Sequence, residues 1–470
     1  MTTDHPRPTD LGELPSNWLW GVATSSHQVE GGNVGNDWWQ WEHDPASPAT
    51  ASSGDACDSW HRWRDDLALV VDIGLDAYRF SLEWSRVEPA DGEVSLAALA
   101  RYREMLVAAR EAGLTTVVTL ASFTLPRWLS DRGGWLSADA PRAFARYCTT
   151  VGAHLGDLID VAFTMNEPNS VAGEGFISGA YPPGRVNDVD ALRVATAGLI
   201  EAHRRGREAL VSGPGTSRIG LSVAIQDVAT HADDDPRSPG IHRDRAPVAS
   251  EDEVAHLLTT PYLDAARDDD FVGVQTYLTQ HVGSRGQSLD LPSDWRLAEM
   301  GYAFSPEAVA HTVPLVARHV DVPIIASGTG ISTADEAERI EYFSRFLTAL
   351  RATIDAGADV RGFFAWCLLD GFEWTLGMEP AFGLCSVDPV TFDRAPKESA
   401  RWYRDRAATA ARTRRVQSAV VSGRCLARST RSDRGHPCRR GRRPCPCRDR
   451  QTSRGTCPPE PCRSSHPRVP

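Results

Sequence analysis

Thr116-Val117-Val118-Thr119-Leu120 shows no alternation of apolar and polar residues, as a strand buried on both faces should not. Upstream of it, Leu96, Leu99, Tyr102, Leu106 and Ala109 form one apolar stripe at helical spacing, and Gly113 stops the helix before the strand begins. The same unit recurs in both directions. Apolar runs at Leu19–Ala23, Ala77–Ser81, Thr115–Leu120, Val161–Thr164, Ile219–Val223, Phe271–Tyr277, Pro323–Ala326 and Gly362–Trp366 alternate with amphipathic stretches. One such stretch spans Ala334 to Asp355, with Ile340, Phe343, Leu347 and Leu350 on one face. Eight strand–helix units predict an α/β fold, a single closed (β/α)8 TIM barrel with long loops after its strands. A doubly wound open sheet is the alternative, but no Gly-x-Gly-x-x-Gly turn follows an early strand.

Composition narrows the classes of function. The chain has 470 residues, 41% hydrophobic and 24% charged, enough for a large core. No run approaches the roughly 20 apolar residues that cross a bilayer. The first residues are polar, with Pro6, Asp10 and Glu13, and lack the basic-then-apolar order of a secretory signal. The expected location is cytoplasmic, with no membrane partner. Residues 418–470 hold 13 Arg and 3 Asp/Glu, about +10, so the formal −12 of the chain leaves about −22 on residues 1–417. Such a body repels phosphate backbones, which argues against a nucleic-acid partner. Four of the ten cysteines (Cys57, Cys148, Cys367 and Cys385) lie in the body, far apart and without metal spacing, as buried thiols in a reducing compartment would. The other six fall in an Arg/Pro/Cys-rich tail that has little to bury and no Cys-x-x-Cys pair. The expected organisation is an N-terminal extension (1–13), a barrel (14–411) and a disordered tail (412–470). No metal or cofactor is implied.

In such a barrel, chemistry sits at the C-terminal ends of the strands. Polar and aromatic residues cap one strand after another: Arg79, Ser122-Phe123-Thr124, Asn166-Glu167-Pro168, then Gln275 and Tyr277, then Trp366, with Glu373 and Trp374 beyond it. A lone Glu after a strand is ordinarily a solvated loop residue or a helix N-cap. Aromatic faces interleaved with carboxylates and amides on one rim suit a sugar, with its apolar C–H faces and ring of hydroxyls.

From about Leu14 to Asp405 the chain resembles family-one glycoside hydrolases, the β-glucosidase family. The resemblance rests on four blocks in order: Trp20-Gly21-Val22-Ala23-Thr24-Ser25-Ser26-His27-Gln28-Val29-Glu30-Gly31, Arg79-Phe80-Ser81-Leu82-Glu83-Trp84-Ser85-Arg86, Thr164-Met165-Asn166-Glu167-Pro168, and Trp366-Cys367-Leu368-Leu369-Asp370-Gly371-Phe372-Glu373-Trp374. It implies a retaining mechanism. One carboxylic acid protonates the leaving oxygen, a carboxylate about 5 Å away attacks the anomeric carbon, and water releases the glycosyl-enzyme. It further implies Glu167 as acid/base, Gln28 and Glu373 on the glycone hydroxyls, and Asn166 on the 2-hydroxyl. Trp366 would be a stacking platform, Trp374 a hydrogen-bond donor to the sugar, and Arg79 and Tyr277 would orient the nucleophile.

The family's nucleophile is a Glu in a Thr-Glu-Asn-Gly motif ending the seventh strand. Here the segment reads Pro323-Ile324-Ile325-Ala326-Ser327-Gly328-Thr329-Gly330-Ile331, with Gly328 at the Glu position and Thr329 at the Asn position. Ser122 replaces a glycone-binding His, Gln275 and Thr276 replace an Asn-Tyr pair, and Gly371 replaces an Asn. Asp335, Glu336 and Glu338 fall where the next helix begins, too far along to reach the anomeric carbon. The expectation is that Gly328 faces Glu167 across the barrel mouth and leaves a void where the carboxylate would sit. Three readings follow: a β-glycosidase-type hydrolase acting on β-glucosides or related sugars or oligosaccharides, a barrel that binds a glycoside without cleaving it, and a glycosyl-transferring or inverting variant.

Overall fold

Eight runs rich in Val, Ile, Phe and Ala are buried along nearly their whole length, which only a sheet covered on both faces allows. In a computed structural model describing residues 14–231, 251–283 and 289–409, they are parallel strands: β1 Leu19–Ala23, β2 Ala77–Ser81, β3 Thr115–Ser122, β4 Val161–Asn166, β5 Arg218–Ala224, β6 Phe271–Gln275, β7 Ile324–Thr329 and β8 Val360–Trp366. Each pairs with its neighbour in sequence, and β8 returns to β1, closing the barrel. This is the expected (β/α)8 fold. The strand ends differ from expectation by a few residues at most; β6 stops at Gln275, leaving Tyr277 in the loop above it.

Alternate residues point inward. Leu19, Ala77, Val117, Val161, Phe163, Phe271, Ile325 and Phe364 fill the lower barrel as one apolar plug. Gly21 makes room for it, since a Cβ there would lie 2.3 Å from the Phe364 ring. Burying one such Phe contributes about 2–3 kcal/mol. Outside, helices lay apolar stripes on the strands. The helix Leu96–Glu111 buries Ala98, Leu99, Tyr102, Leu106 and Ala109. Leu96, expected on that stripe, is 65% exposed, because at the first helical position it points away from the barrel. The helix Glu336–Asp355 opens on Asp335, whose Oδ1 accepts from the Ala337 and Glu338 amides.

No helix among the described residues is long and apolar enough to cross a membrane. Cys57, Cys148, Cys367 and Cys385 are buried free thiols. The N-terminal extension and the Arg/Pro/Cys-rich tail lie outside the described residues.

Candidate active site

Register brings the caps together. Ser122 pairs with Asn166 and Asn166 with Ser222, while Ala23 is level with both Arg79 and Trp366. Between β6 and β7 the register shifts by one residue after Val274, so Gln275 stands beside Gly328. The rim above the apolar plug therefore carries the residues that the sequence singled out, except those supplied by loops.

Glu167 follows β4 directly, in the left-handed region at φ 46° and ψ 53°, and Pro168 then starts a short helix to Gly173. A non-glycine residue holds that conformation at a cost of roughly 1–3 kcal/mol, and such residues gather at functional sites. Phe123 (φ 66°) and Trp374 (φ 56°) on the same rim share it. Glu167 stands at the N-cap position, yet its carboxylate caps no backbone amide; Oε2 instead accepts from Ser170 Oγ at 2.8 Å. Burial raises its pKa to about 7, against the Ser170 hydrogen bond and the Arg79 charge that both lower it. The residue is half-buried in total, the surrounding protein supplying the desolvation while one edge stays open. Tyr277 and Trp366 are likewise half-buried in a ring of otherwise buried side chains.

Gln28 Nε2 donates to Glu373 Oε1 at 3.1 Å, and Gln28 Oε1 accepts from Ser25 Oγ at 2.9 Å. Glu373 is raised to about 8, chiefly by burial, with a hydrogen bond from Trp366 opposing. Trp374 sits in an aromatic wall with Trp38 (ring centroids 4.6 Å), Phe123 (4.8 Å) and His27 (stacked at 5.8 Å). Tyr181 joins this wall at 4.8 Å from Trp38. Tyr181 and Glu174, whose charge also raises Glu167, did not stand out in the sequence. The run Tyr181-Pro182-Pro183-Gly184, punctuating a loop that follows Glu167, was the signal that could have found the first.

The floor on the β6–β7 side is neutral in all but one group. Arg79 is 2% exposed and seated over the Phe163 ring, 4.4 Å from its centroid. Its hydrogen bonds go to uncharged acceptors: Thr119 Oγ1 (3.1 Å), the Ser327 carbonyl (2.6 Å) and Asn166 Oδ1 (2.5 Å). Burial pulls its pKa down to about 10, against the nearby Tyr277 and Glu167, which raise it. Asn166 Oδ1 also accepts from Gln275 Nε2 at 2.6 Å, and the same amide nitrogen donates to Ser222 Oγ at 3.0 Å. Tyr277 OH donates to Gln275 Oε1 at 3.3 Å. The expected void beside Gly328 is absent. A Cβ at 328 would lie 2.3 Å from Gln275 Oε1, 3.1 Å from its Cδ and 3.3 Å from the Tyr277 hydroxyl. Gln275, level with Gly328 after the register shift, takes that space with its amide oxygen.

Ser122 is 3% exposed at the end of β3. Asp335, Glu336 and Glu338 are engaged elsewhere: Asp335 caps its helix, Glu336 takes Arg339 and the Ser399 amide, and Glu338 pairs with Arg296. Among the described residues, no group of three or more His, Cys, Asp and Glu side chains is placed to hold a metal ion.

Residues 11–266 and 267–411 match the family model described as Glycosyl hydrolase family 1. The thermostable beta-glucosidase B of Thermobispora bispora is 30% identical, over 83% of this chain and 90% of its own length. A solved apo beta-glucosidase designated 1317 shares 38% identity, with a TM-score of 0.73 over 83% of this chain and 98% of that one. The beta-glucosidase of Thermotoga maritima, solved with deoxynojirimycin, superimposes with a TM-score of 0.75 at 26% identity, covering 85% of this chain and 99% of that one.

Proposed function

The chain belongs to glycosyl hydrolase family 1, and on that premise we propose that its barrel mouth binds a β-glucoside or a closely related β-glycoside and offers it the proton of Glu167. The observation that carries this reading is Glu167 itself. It stands directly after β4 with its carboxylate capping no helix amide, and burial pushes its pKa up to about 7, so that it can hold a proton near neutral pH, as a general acid needs. Gln28 and Glu373 form a donor–acceptor pair suited to sugar hydroxyls, and the half-open Trp366 is a face for the ring. Asn166 spends Oδ1 on Arg79 and Gln275, which turns its amide nitrogen, a donor, toward a ligand hydroxyl.

No carboxylate stands at 328 to attack the anomeric carbon, so the covalent half of a retaining reaction lacks its nucleophile. The expected behaviour is firm binding with slow turnover: losing a nucleophile costs several orders of magnitude, at about 1.4 kcal/mol per tenfold. The second reading, a glycoside-binding barrel without turnover, is favoured by one observation, the Gln275 amide occupying the place beside Gly328. Titration calorimetry with an aryl β-glucoside, beside a release assay of the same compound, decides between the readings. Brisk release unaffected by Glu167→Gln would overturn the assignment of Glu167, and absence of any binding would overturn both readings.

A further inference from the structure

Gln275 lies where three features meet. The β6–β7 bulge sets its backbone beside Gly328, its carbonyl oxygen crowds the place a side chain at 328 would occupy, and its amide nitrogen bridges Asn166 and Ser222. Tyr277 donates to it, and Arg79 reaches the same Asn166 oxygen. A neutral amide thus ends up among the donors that would otherwise serve a carboxylate. A glycine at 328 alone would leave room for water or an anion beneath the sugar. A glycine paired with this glutamine has an amide oxygen 2.3 Å from where a Cβ would sit.

We propose that Gln275 is a positioning residue that closes the α-face of the site to any nucleophile, so that positions 275 and 328 act as a coupled pair. This rests on the glycoside-binding reading above. It predicts that a carboxylate at 328 does not suffice. Gly328→Glu must push the Gln275 oxygen out of a 2.3 Å contact, and that oxygen belongs to a side chain tied down by hydrogen bonds at both ends. Shortening the side chain by one methylene, Gln275→Asn, withdraws the amide by about 1.5 Å, close to one C–C bond.

The test has two arms, each read on protein whose binding of an aryl β-glucoside has been measured first by calorimetry. In the first arm Gly328→Glu alone gains less than about tenfold in aryl β-glucoside hydrolysis, while Gln275→Asn/Gly328→Glu exceeds it by at least about 100-fold, the scale expected for a restored covalent route. In the second arm azide is the probe. Azide leaves wild type unaccelerated but accelerates Gln275→Ala. Its nitrogen forms the new bond to the anomeric carbon from the α-face as the bond from that carbon to the glycosidic oxygen breaks, Glu167 supplies the proton to the departing phenolate, and α-glycosyl azide accumulates with free phenol. Equal activity of the single and double variants overturns the proposal, as does azide acceleration of wild type matching that of Gln275→Ala. If the double variant fails to fold, the azide arm decides alone. Failure of wild type to bind the glucoside defeats the underlying reading, a result distinct from either kinetic outcome.

Discussion

The two sides of this barrel mouth handle charge in opposite ways. On the β4–β8 side, Glu167 and Glu373 are carboxylates that burial pushes up to about 7 and about 8, and their hydrogen-bond donors, Ser170, Gln28 and Trp366, are neutral. On the β6–β7 side position 328 is a glycine, the space beside it is filled by the Gln275 amide, and Arg79 makes all of its hydrogen bonds to uncharged oxygens. Under the proposed reading, the first side serves as the proton donor and the second is a packed polar floor. A buried polar network persists when each member is satisfied, whatever its chemical use. The network on this side is satisfied without a carboxylate at 328 because Gln275 gives Tyr277 an acceptor and joins Arg79 on Asn166.

Glu167→Gln attacks the retained side directly. Release of a poor leaving group should fall by about 10²–10⁴, the usual contribution of a positioned general acid, while glycoside affinity stays within a few-fold. Parallel kinetics and calorimetry read both quantities, and an unchanged rate would mean that the proton comes from elsewhere. Asn166→Ala tests the rebuilt side, because it strips an acceptor from Arg79 and from Gln275 at once. Two buried donors left unmatched cost about 2–4 kcal/mol, measurable by denaturant unfolding at constant m-value. A loss below 1 kcal/mol would show that the network is slack. Gly328→Ala probes chiefly the contact with Gln275 and should destabilise by about 1–3 kcal/mol, most of it recovered when Gln275→Asn is added. Simple additivity of those two changes would uncouple the positions.

The smallest effect concerns pH and the retained carboxylates. Because burial raises Glu373, the native state holds its proton over a range where the unfolded chain, with an ordinary carboxyl near 4.5, has lost it. Unfolding then releases a proton, so this group lowers stability as pH climbs from about 4.5 toward about 8. Glu373→Gln should therefore leave Tm nearly unchanged at pH 4.5 and raise it by a few degrees at pH 8, relative to wild type. An equal shift at both pH values would mean that the carboxyl is neutral, or charged, throughout. The same sign applies to Glu167, and any rate that needs its proton should decline above about pH 7.

Much of this was legible in one dimension. Strands buried on both faces leave uninterrupted apolar runs such as Thr116 to Leu120, and eight of them at barrel spacing admit few alternatives. Gly328 was visible as a departure because its flanking residues keep register with the strand. Leu96 was misplaced by helical spacing alone, since the period locates a face without saying where the helix starts to touch the barrel. The content of the space beside Gly328 was misjudged for a related reason. Absence of a side chain at one position says nothing about which neighbour fills it.

By itself, then, the sequence determined the barrel, the order of its strands, the residues on its rim and the glycine at 328, all of which follow from local periodicity and residue identity. Only the tertiary structure decided that Gln275 takes the vacated space. That outcome depends on a one-residue slip between β6 and β7 and on hydrogen bonds to Asn166 and Ser222 and from Tyr277, which lie on three different segments of the chain. Packing across strands sums contacts between residues far apart in sequence, and no local pattern encodes that sum.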